Sequence, residues 1–117
     1  ISKVEAVLKH FPQVTIANQN SPNQVVLAGL TTEINKVRQA LQDKGYAAVL
    51  LPVSAAFHTP LIAFAQKSFA IASKTVSFHS PQIPVFTNVT GKLYPSEPQA
   101  IHQILESHLS KSVLFKQ

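Results

Sequence analysis

Apolar residues recur at helical spacing in two stretches of the chain. The first set precedes Pro12, at a point where a helix would end, and consists of Ile1, Val4, Val7, Leu8 and Phe11. The second set follows Thr31 and Thr32 and comes before Gly45, which suits the residue after a helix, and consists of Ile34, Val37 and Leu41. The pattern predicts two amphipathic helices.

Strand-like patterns lie between and after these helices. Residues 13–19 alternate around Val14 and Ile16, residues 24–30 are apolar and β-branched, and "NSPN" between them is typical of a hairpin turn. The apolar run 47–53 predicts a buried strand. The order is then helix, strand, strand, helix, strand, and one strand added in front would give the βαββαβ ferredoxin-like unit.

Three further elements follow this unit. A helix is predicted over 60–76, a short strand in "PVFTNVT", and a last helix over about 98–110, with His102 and His108 on its polar flank. The predicted fold class is therefore α+β. Residues 1–53 form a small ferredoxin-like unit without its first strand, and residues 54–117 form part of a second region.

Composition narrows the possible functions. The chain of 117 residues carries a net charge of +5, which favours an acidic partner such as nucleic acid or an acidic protein, although its lysines are scattered. A stand-alone basic ferredoxin-like module that binds nucleic acid or docks a carrier protein is therefore one alternative. RNA-binding versions stack bases on aromatic residues of the sheet, and the three predicted strands contain none. The absence of cysteine fits the cytoplasm, and no apolar run is long enough to span a membrane.

Several kinds of site are disfavoured by the sequence. With only three glycines, neither a P-loop nor a G-x-G-x-x-G fingerprint can be written. The five histidines are widely spaced, so no metal site is expected. The acidic residues are few and separated, and the only aspartate, Asp43, lies on a predicted helix flank, so neither a carboxylate pair nor a Ser-His-Asp triad is indicated.

His58 lies in an unusual position. In "LPVSAAFHTPLIAF" it follows a predicted strand and precedes a predicted helix, on the side of an α/β layer where chemistry is commonly placed. A histidine there can serve as a proton acceptor, or it can be a core residue bonded to backbone. Position alone leaves both interpretations open.

Three ordered motifs are similar to segments of one family, the malonyl-CoA:acyl-carrier-protein transacylases and the acyltransferase domains of fatty acid and polyketide synthases. They are "NQNSPNQVVLAG", "LPVSAAFHTPL" and "PQIPVFTNVTG". In that family a serine in a G-H-S-x-G elbow attacks an acyl thioester, and a histidine takes its proton. The resemblance implies that His58 is this general base, held through a backbone carbonyl.

The resemblance also implies the remaining site residues and the partners. Phe57 matches a malonyl-type pattern and would contact substrate, and Asn18, Asn20 and Gln24 match a hairpin that overhangs the cleft, although turn chemistry also explains such residues. The substrate would be malonyl-CoA or a similar acyl-CoA. The acceptor would be the phosphopantetheine of an acyl carrier protein, with no bound cofactor. Residues 54–117 would then belong to the large, α/β-hydrolase-like subdomain.

The chain departs from the family pattern by what it lacks. No G-x-S-x-G occurs, and Arg38, the only arginine, lies on the second helix and does not match the family's carboxylate-binding arginine. We therefore expect a fragment of a multidomain synthase that is inactive alone, consistent with Ile1 in the first position. Lys36, Arg38 and Lys44 are candidates for carrier-protein docking.

Overall fold

The first half of the chain builds a helix-covered hairpin. In a computed structural model that describes residues 1–116, helix α1 (Ser2–Leu8) leads into strands β1 (Val14–Ser21) and β2 (Gln24–Gly29), and helix α2 (Thr31–Gln42) follows. These four elements confirm the sequence prediction. Gly45 adopts a φ of +80° after α2, which explains why glycine ends that helix. Gln117, at the end of the predicted second region, lies outside the described residues.

The two helices bury one face of the hairpin. Their shared core consists of Val7, Val14, Val37 and Leu41. Helical residues three and four apart lie on one face, so the periodicity in the sequence places Val37 and Leu41 together against the strands. The apolar pattern of residues 1–42 therefore describes a core that forms within this chain, with Tyr46 and Ala48 packed against it.

A segment close to the C-terminus joins the edge of β1. Within the antiparallel β1–β2 pair the register shifts between Ile16 and Asn18. Val113 pairs in parallel beside Asn18. Its N–H donates to the Ala17 carbonyl at 2.8 Å, and its carbonyl accepts from the Gln19 N–H at 2.8 Å. The Ser112 hydroxyl also donates to the Ile16 carbonyl.

The second half of the chain is mainly helical. A 3₁₀ turn (Pro60–Ile62) runs into helix α3 (Ala63–Ser73), and helix α4 (Pro98–Ser107) is followed by a second 3₁₀ turn (His108–Ser110). The two predicted helices of this half are thus confirmed, with α3 ending a little earlier than predicted. The strand predicted in "PVFTNVT" was wrong in extent, because only an isolated bridge between Phe86 and Leu93 forms there.

The strand predicted over residues 47–53 is absent. This segment has no regular structure, and Val49 is 84% exposed while Val53 is 63% exposed. A buried strand needs a hydrogen-bonded neighbour, and no strand of residues 1–116 lies beside this run. Of the three strands predicted for a βαββαβ unit, residues 1–116 form only β1 and β2.

Candidate active site around His58

His58 lies on the connection between the exposed run 47–53 and helix α3. Its φ of +60° is the only positive value at a non-glycine residue among residues 1–116. That conformation costs an L-residue about 1–2 kcal/mol, so the surrounding contacts must hold it in place. Such strain gathers at functional sites, which makes His58 a candidate on geometry as well as on sequence.

Thr59 is the main contact that fixes this connection. Its side chain is 1% exposed. The hydroxyl donates to the Ala56 carbonyl at 2.7 Å and accepts from the Leu61 N–H at 3.2 Å. The second of these bonds caps the 3₁₀ turn that starts at Pro60. Thr59 therefore joins the residues before and after His58 into one rigid turn.

Two carbonyls at the end of α4 accept hydrogen bonds from His58. The ring atom Nδ1 lies 3.1 Å from the His108 carbonyl oxygen, and the His58 backbone N–H donates to the Leu109 carbonyl at 3.2 Å. A carbonyl oxygen only accepts, so Nδ1 must carry the proton. The neutral ring then has a bare Nε2, which is the atom that a general base uses.

The His108 ring lies beside the His58 ring. Their centroids are 5.2 Å apart and their planes are inclined by 34°. Burial lowers the pKa of His108 below its ordinary value, and the neighbouring His58 lowers that pKa further. The expectation that His108 sits on a polar flank was therefore wrong. Periodicity could not reveal this neighbour, because His108 is fifty positions away from His58.

The other predicted site residues are placed differently. Phe57 is 50% exposed, so core packing within residues 1–116 does not explain it. Asn18 and Asn20 are half-buried on β1, and Gln24 is exposed at the start of β2. In the part of the chain that the structure describes, no hydrogen bond joins these three side chains to His58. The hairpin reaches the His58 region through the Val113 segment.

A second histidine cluster joins α3 to α4. His102 Nε2 lies 2.8 Å from the Ser73 hydroxyl and 3.3 Å from Glu106 Oε1. In a catalytic triad the acid holds Nδ1 and the serine faces Nε2, whereas here both partners meet the same nitrogen. The buried Ser73 hydroxyl also donates to the Ala70 carbonyl. The cluster is a helix–helix contact in which His102, predicted on the polar flank of α4, meets polar partners on both helices.

The basic side chains proposed for docking differ in exposure. Lys36 and Lys44 are exposed on and just after α2, while Arg38 is half-buried. Lys36 is paired with Glu33 at 2.8 Å. Over residues 1–116 no three His, Cys, Asp or Glu residues are grouped as metal ligands would be, and no helix there has the length and apolar character that crossing a membrane requires.

Two curated relatives cover different shares of the chain. The polyketide biosynthesis protein ThaF of Burkholderia thailandensis is 43% identical over 82 residues, which is 69% of this chain and 7% of that protein. A polyunsaturated fatty acid synthase polypeptide of Thraustochytrium is 33% identical over 113 residues, 95% of this chain and 4% of that protein. No protein-family model matches the chain. The chain thus spans a small part of each relative.

Solved structures define the fold. The malonyl-CoA:acyl carrier protein transacylase of Xanthomonas oryzae matches with a TM-score of 0.87 and 34% identity. The match covers 97% of this chain and 37% of the Xanthomonas protein. A malonyl-transacylase in complex with its type II polyketide acyl carrier protein has a TM-score of 0.89 and 29% identity, with coverages of 98% and 38%. The fold is therefore that of part of a transacylase. The resemblance seen in the sequence is confirmed, and the chain fits a segment of an acyltransferase domain.

Proposed function

We propose that this chain supplies the general base of an acyltransferase domain. That domain would move an acyl group, malonyl in our proposal, from coenzyme A to the phosphopantetheine thiol of an acyl carrier protein. The observation that carries the proposal is the hydrogen bond from His58 Nδ1 to the His108 carbonyl at 3.1 Å. It leaves Nε2 unprotonated in the neutral ring, and Nε2 is then able to accept a proton.

The reaction would proceed in two balanced steps. His58 Nε2 takes the proton of a serine hydroxyl while the serine oxygen attacks the thioester carbon. The C–S bond then breaks, and the imidazolium gives its proton to the departing coenzyme A thiolate. In the second step Nε2 takes the proton of the phosphopantetheine thiol. The sulfur attacks the serine ester, and the serine recovers its proton. No G-x-S-x-G is present in these 117 residues, so the serine would come from the rest of the domain.

The exposed apolar surface supports a larger parent domain. Large apolar side chains that would normally be buried are exposed from residue 49 onward in the described chain, among them Leu51, Phe57, Phe64, Ile71, Ile83, Phe86 and Phe115. The radius of gyration is 16.2 Å, whereas a compact domain of this size has about 13 Å. In this proposal the remainder of the acyltransferase domain covers this surface and pairs with residues 47–53.

The division of the chain follows from the same proposal. Residues 1–53 would belong to the small ferredoxin-like subdomain and residues 54–117 to the large subdomain. The closed core of Val7, Val14, Val37 and Leu41 supports the first assignment. Phe57 would line the acyl site and would favour malonyl, while Asn18, Asn20 and Gln24 would face the cleft from the hairpin. In our proposal the parent synthase is cytoplasmic.

Carrier-protein docking is a separate part of the proposal. Lys44 is exposed after α2, and Lys36, although paired with Glu33, is exposed as well, so an acidic carrier protein could approach this helix. Exposed charge pairs are weak and screened by salt. Lys44→Glu should therefore weaken salt-sensitive binding, whereas Lys74→Glu, exposed after α3, should not. Equal effects of the two variants, or binding that salt does not change, would contradict docking at α2.

Acyl transfer in the full-length parent tests the role of His58. His58→Ala should lower the rate by roughly 10²–10⁴, which is typical for loss of a general base. The exposed His10 offers a matched control, because His10→Gln also removes an imidazole but lies between α1 and β1, outside the candidate site, and should leave the rate unchanged. A rate for His58→Ala within threefold of the unmodified parent would remove His58 from the mechanism.

A further inference from the structure

His58 and His108 form a pair in which the two rings have unequal surroundings. His58 donates to two carbonyls at the C-terminal end of α4, where the partial negative charge of the helix favours a cation. His108 Nε2 is buried and has no hydrogen-bond partner among residues 1–116. An imidazolium has two N–H donors, so charging His108 would bury an unpaired donor.

We propose that the His108 side chain is a positioning residue for His58: its uncharged ring lies against the His58 ring and holds that ring with Nδ1 on the His108 carbonyl and Nε2 free. This inference rests on the proposed role of His58 as the base. The role belongs to the His108 side chain and not to its backbone, because any residue at position 108 would offer the same carbonyl. Only a flat ring can pack against the His58 ring as His108 does, at a centroid distance of 5.2 Å.

Only one ring of the pair, that of His58, becomes positively charged in this arrangement. When His58 takes a proton, the neutral His108 ring beside it presents no positive charge and avoids the repulsion between like charges. The direction of the His108 pKa agrees, since it is lowered by burial and then by His58. In this proposal His108 therefore stays neutral beside His58, so the two rings do not carry like charges at the same time.

Other charged groups near the pair are engaged or exposed. On α4, Glu106 is paired with His102 at 3.3 Å. On α3, Lys67 is exposed, and Gln66 next to it accepts from the Ser110 hydroxyl at 2.8 Å. Lys111, after the second 3₁₀ turn, is exposed as well. Within the described chain none of them forms a hydrogen bond or ion pair with either ring, so the two histidines act mainly on each other.

Nitrogen-detected NMR of histidine-labelled protein tests the pair directly. The spectrum of the 117-residue chain should show His58 as one tautomer, protonated at Nδ1 and bare at Nε2. His108 should titrate below 6.5, the ordinary value for a histidine. In His58→Gln the midpoint of His108 should rise yet stay below that ordinary value, because burial is the larger cause of its lowered pKa. If His108 titrated at the ordinary value, the proposal would be wrong.

Two substitutions separate the ring from the carbonyl. His108→Phe keeps a flat ring and the carbonyl, so His58 should remain a single tautomer. His108→Ala keeps only the carbonyl, so His58 should show a mixture of tautomers. An unchanged single tautomer in His108→Ala would overturn the positioning role. If His108→Ala fails to fold, judged by loss of the cross-strand contact between Ile16 and Leu27, the titrations of His108→Phe and His58→Gln still decide.

The same variants in the full-length parent connect the pair to activity. His108→Ala should lower kcat by about tenfold to a hundredfold and leave KM unchanged, because a misplaced base slows the chemistry and not binding. His108→Phe should recover most of kcat. If His58 were a single tautomer but acyl transfer in the parent did not depend on His58, the positioning of His58 by His108 would stand and the proposed function would be refuted. An unchanged kcat in His108→Ala would refute the positioning role of His108 but not the proposed function.

Discussion

Val113 and Gln19 share a backbone hydrogen bond of 2.8 Å that connects the C-terminal segment to the hairpin. Val113 lies three residues beyond the 3₁₀ turn of His108–Ser110, and Gln19 lies on β1 between Asn18 and Asn20. The contact therefore sets the position of the hairpin relative to the His58 region. Two further backbone bonds join the same segment to β1, from the Val113 N–H to the Ala17 carbonyl at 2.8 Å and from the Lys116 N–H to the Gln19 carbonyl at 3.0 Å.

The first prediction concerns this connection. Val113→Pro removes the N–H that donates to the Ala17 carbonyl and leaves that buried acceptor without a partner, which costs about 1–3 kcal/mol. The neighbouring bond from Gln19 should weaken as well, so the Gln19 amide should exchange with solvent at least about tenfold faster, equivalent to about 1.4 kcal/mol. Val113→Ala keeps the N–H and should retain the protection. Equal exchange in the two variants would show that the segment is held by its side chains.

Among the elements that were predicted correctly, the hairpin and the two helices that cover it bury their apolar faces within residues 1–116. Val37 and Leu41 of α2 face Val7 and Val14, so their spacing describes a structure that forms here. Residues 47–53 carry an equally clear apolar pattern. A pattern predicts that side chains become buried but not what buries them, and no strand of residues 1–116 lies beside this run.

The candidate site, too, could be predicted only in part from the sequence. Pro60 and Thr59 mark the start of a turn, so the sequence alone was enough to place His58 on a connection. The His108 carbonyl and ring could not be foreseen, because helical periodicity assigned that residue to a polar face. Helix α4 ends at Ser107, and His108 is the first residue of the 3₁₀ turn that follows, where it contacts His58.

The second prediction uses the backbone of His58. At a φ of +60° alanine is strained and glycine is not, so His58→Gly should be more stable than His58→Ala by about 1 kcal/mol. Both variants lose the ring, so their difference reports the backbone. Gln103, which is exposed in the middle of α4, gives a matched pair with the opposite order. Gln103→Ala should be more stable than Gln103→Gly by about 1 kcal/mol, because alanine has the higher helix propensity. Urea midpoints measure both pairs; a higher midpoint for His58→Ala would contradict the left-handed conformation.

The third prediction is a pH dependence of stability. The folded state lowers the pKa of His108 below 6.5 through burial and through His58. Between the lowered value and 6.5 the unfolded chain binds more protons than the folded chain, so the free energy of unfolding falls as pH falls through this window. Above the unfolded pKa the contribution is fully present. His108→Phe should make the fall shallower, while His79→Gln, at an exposed site, should not. Identical slopes in all three proteins would contradict the burial of His108.

The fourth prediction is that the 117-residue chain is inert toward malonyl-CoA. His58 Nε2 can accept a proton, but no serine of these 117 residues lies in a G-x-S-x-G sequence, and an oxyanion hole beside the nucleophile alone contributes about 10²–10³ in rate. Ser73, the buried serine beside a histidine, donates its proton to the Ala70 carbonyl and is enclosed between helices, so acyl-CoA cannot reach it. Intact-mass spectrometry after incubation with malonyl-CoA should show unmodified protein. The full-length parent should gain one malonyl group, and His58→Ala in that parent should slow the gain. A stoichiometric ester on a serine of the 117-residue chain would place the nucleophile inside this chain. Repeating the incubation with the Ser73→Ala variant would then show whether Ser73 is that nucleophile.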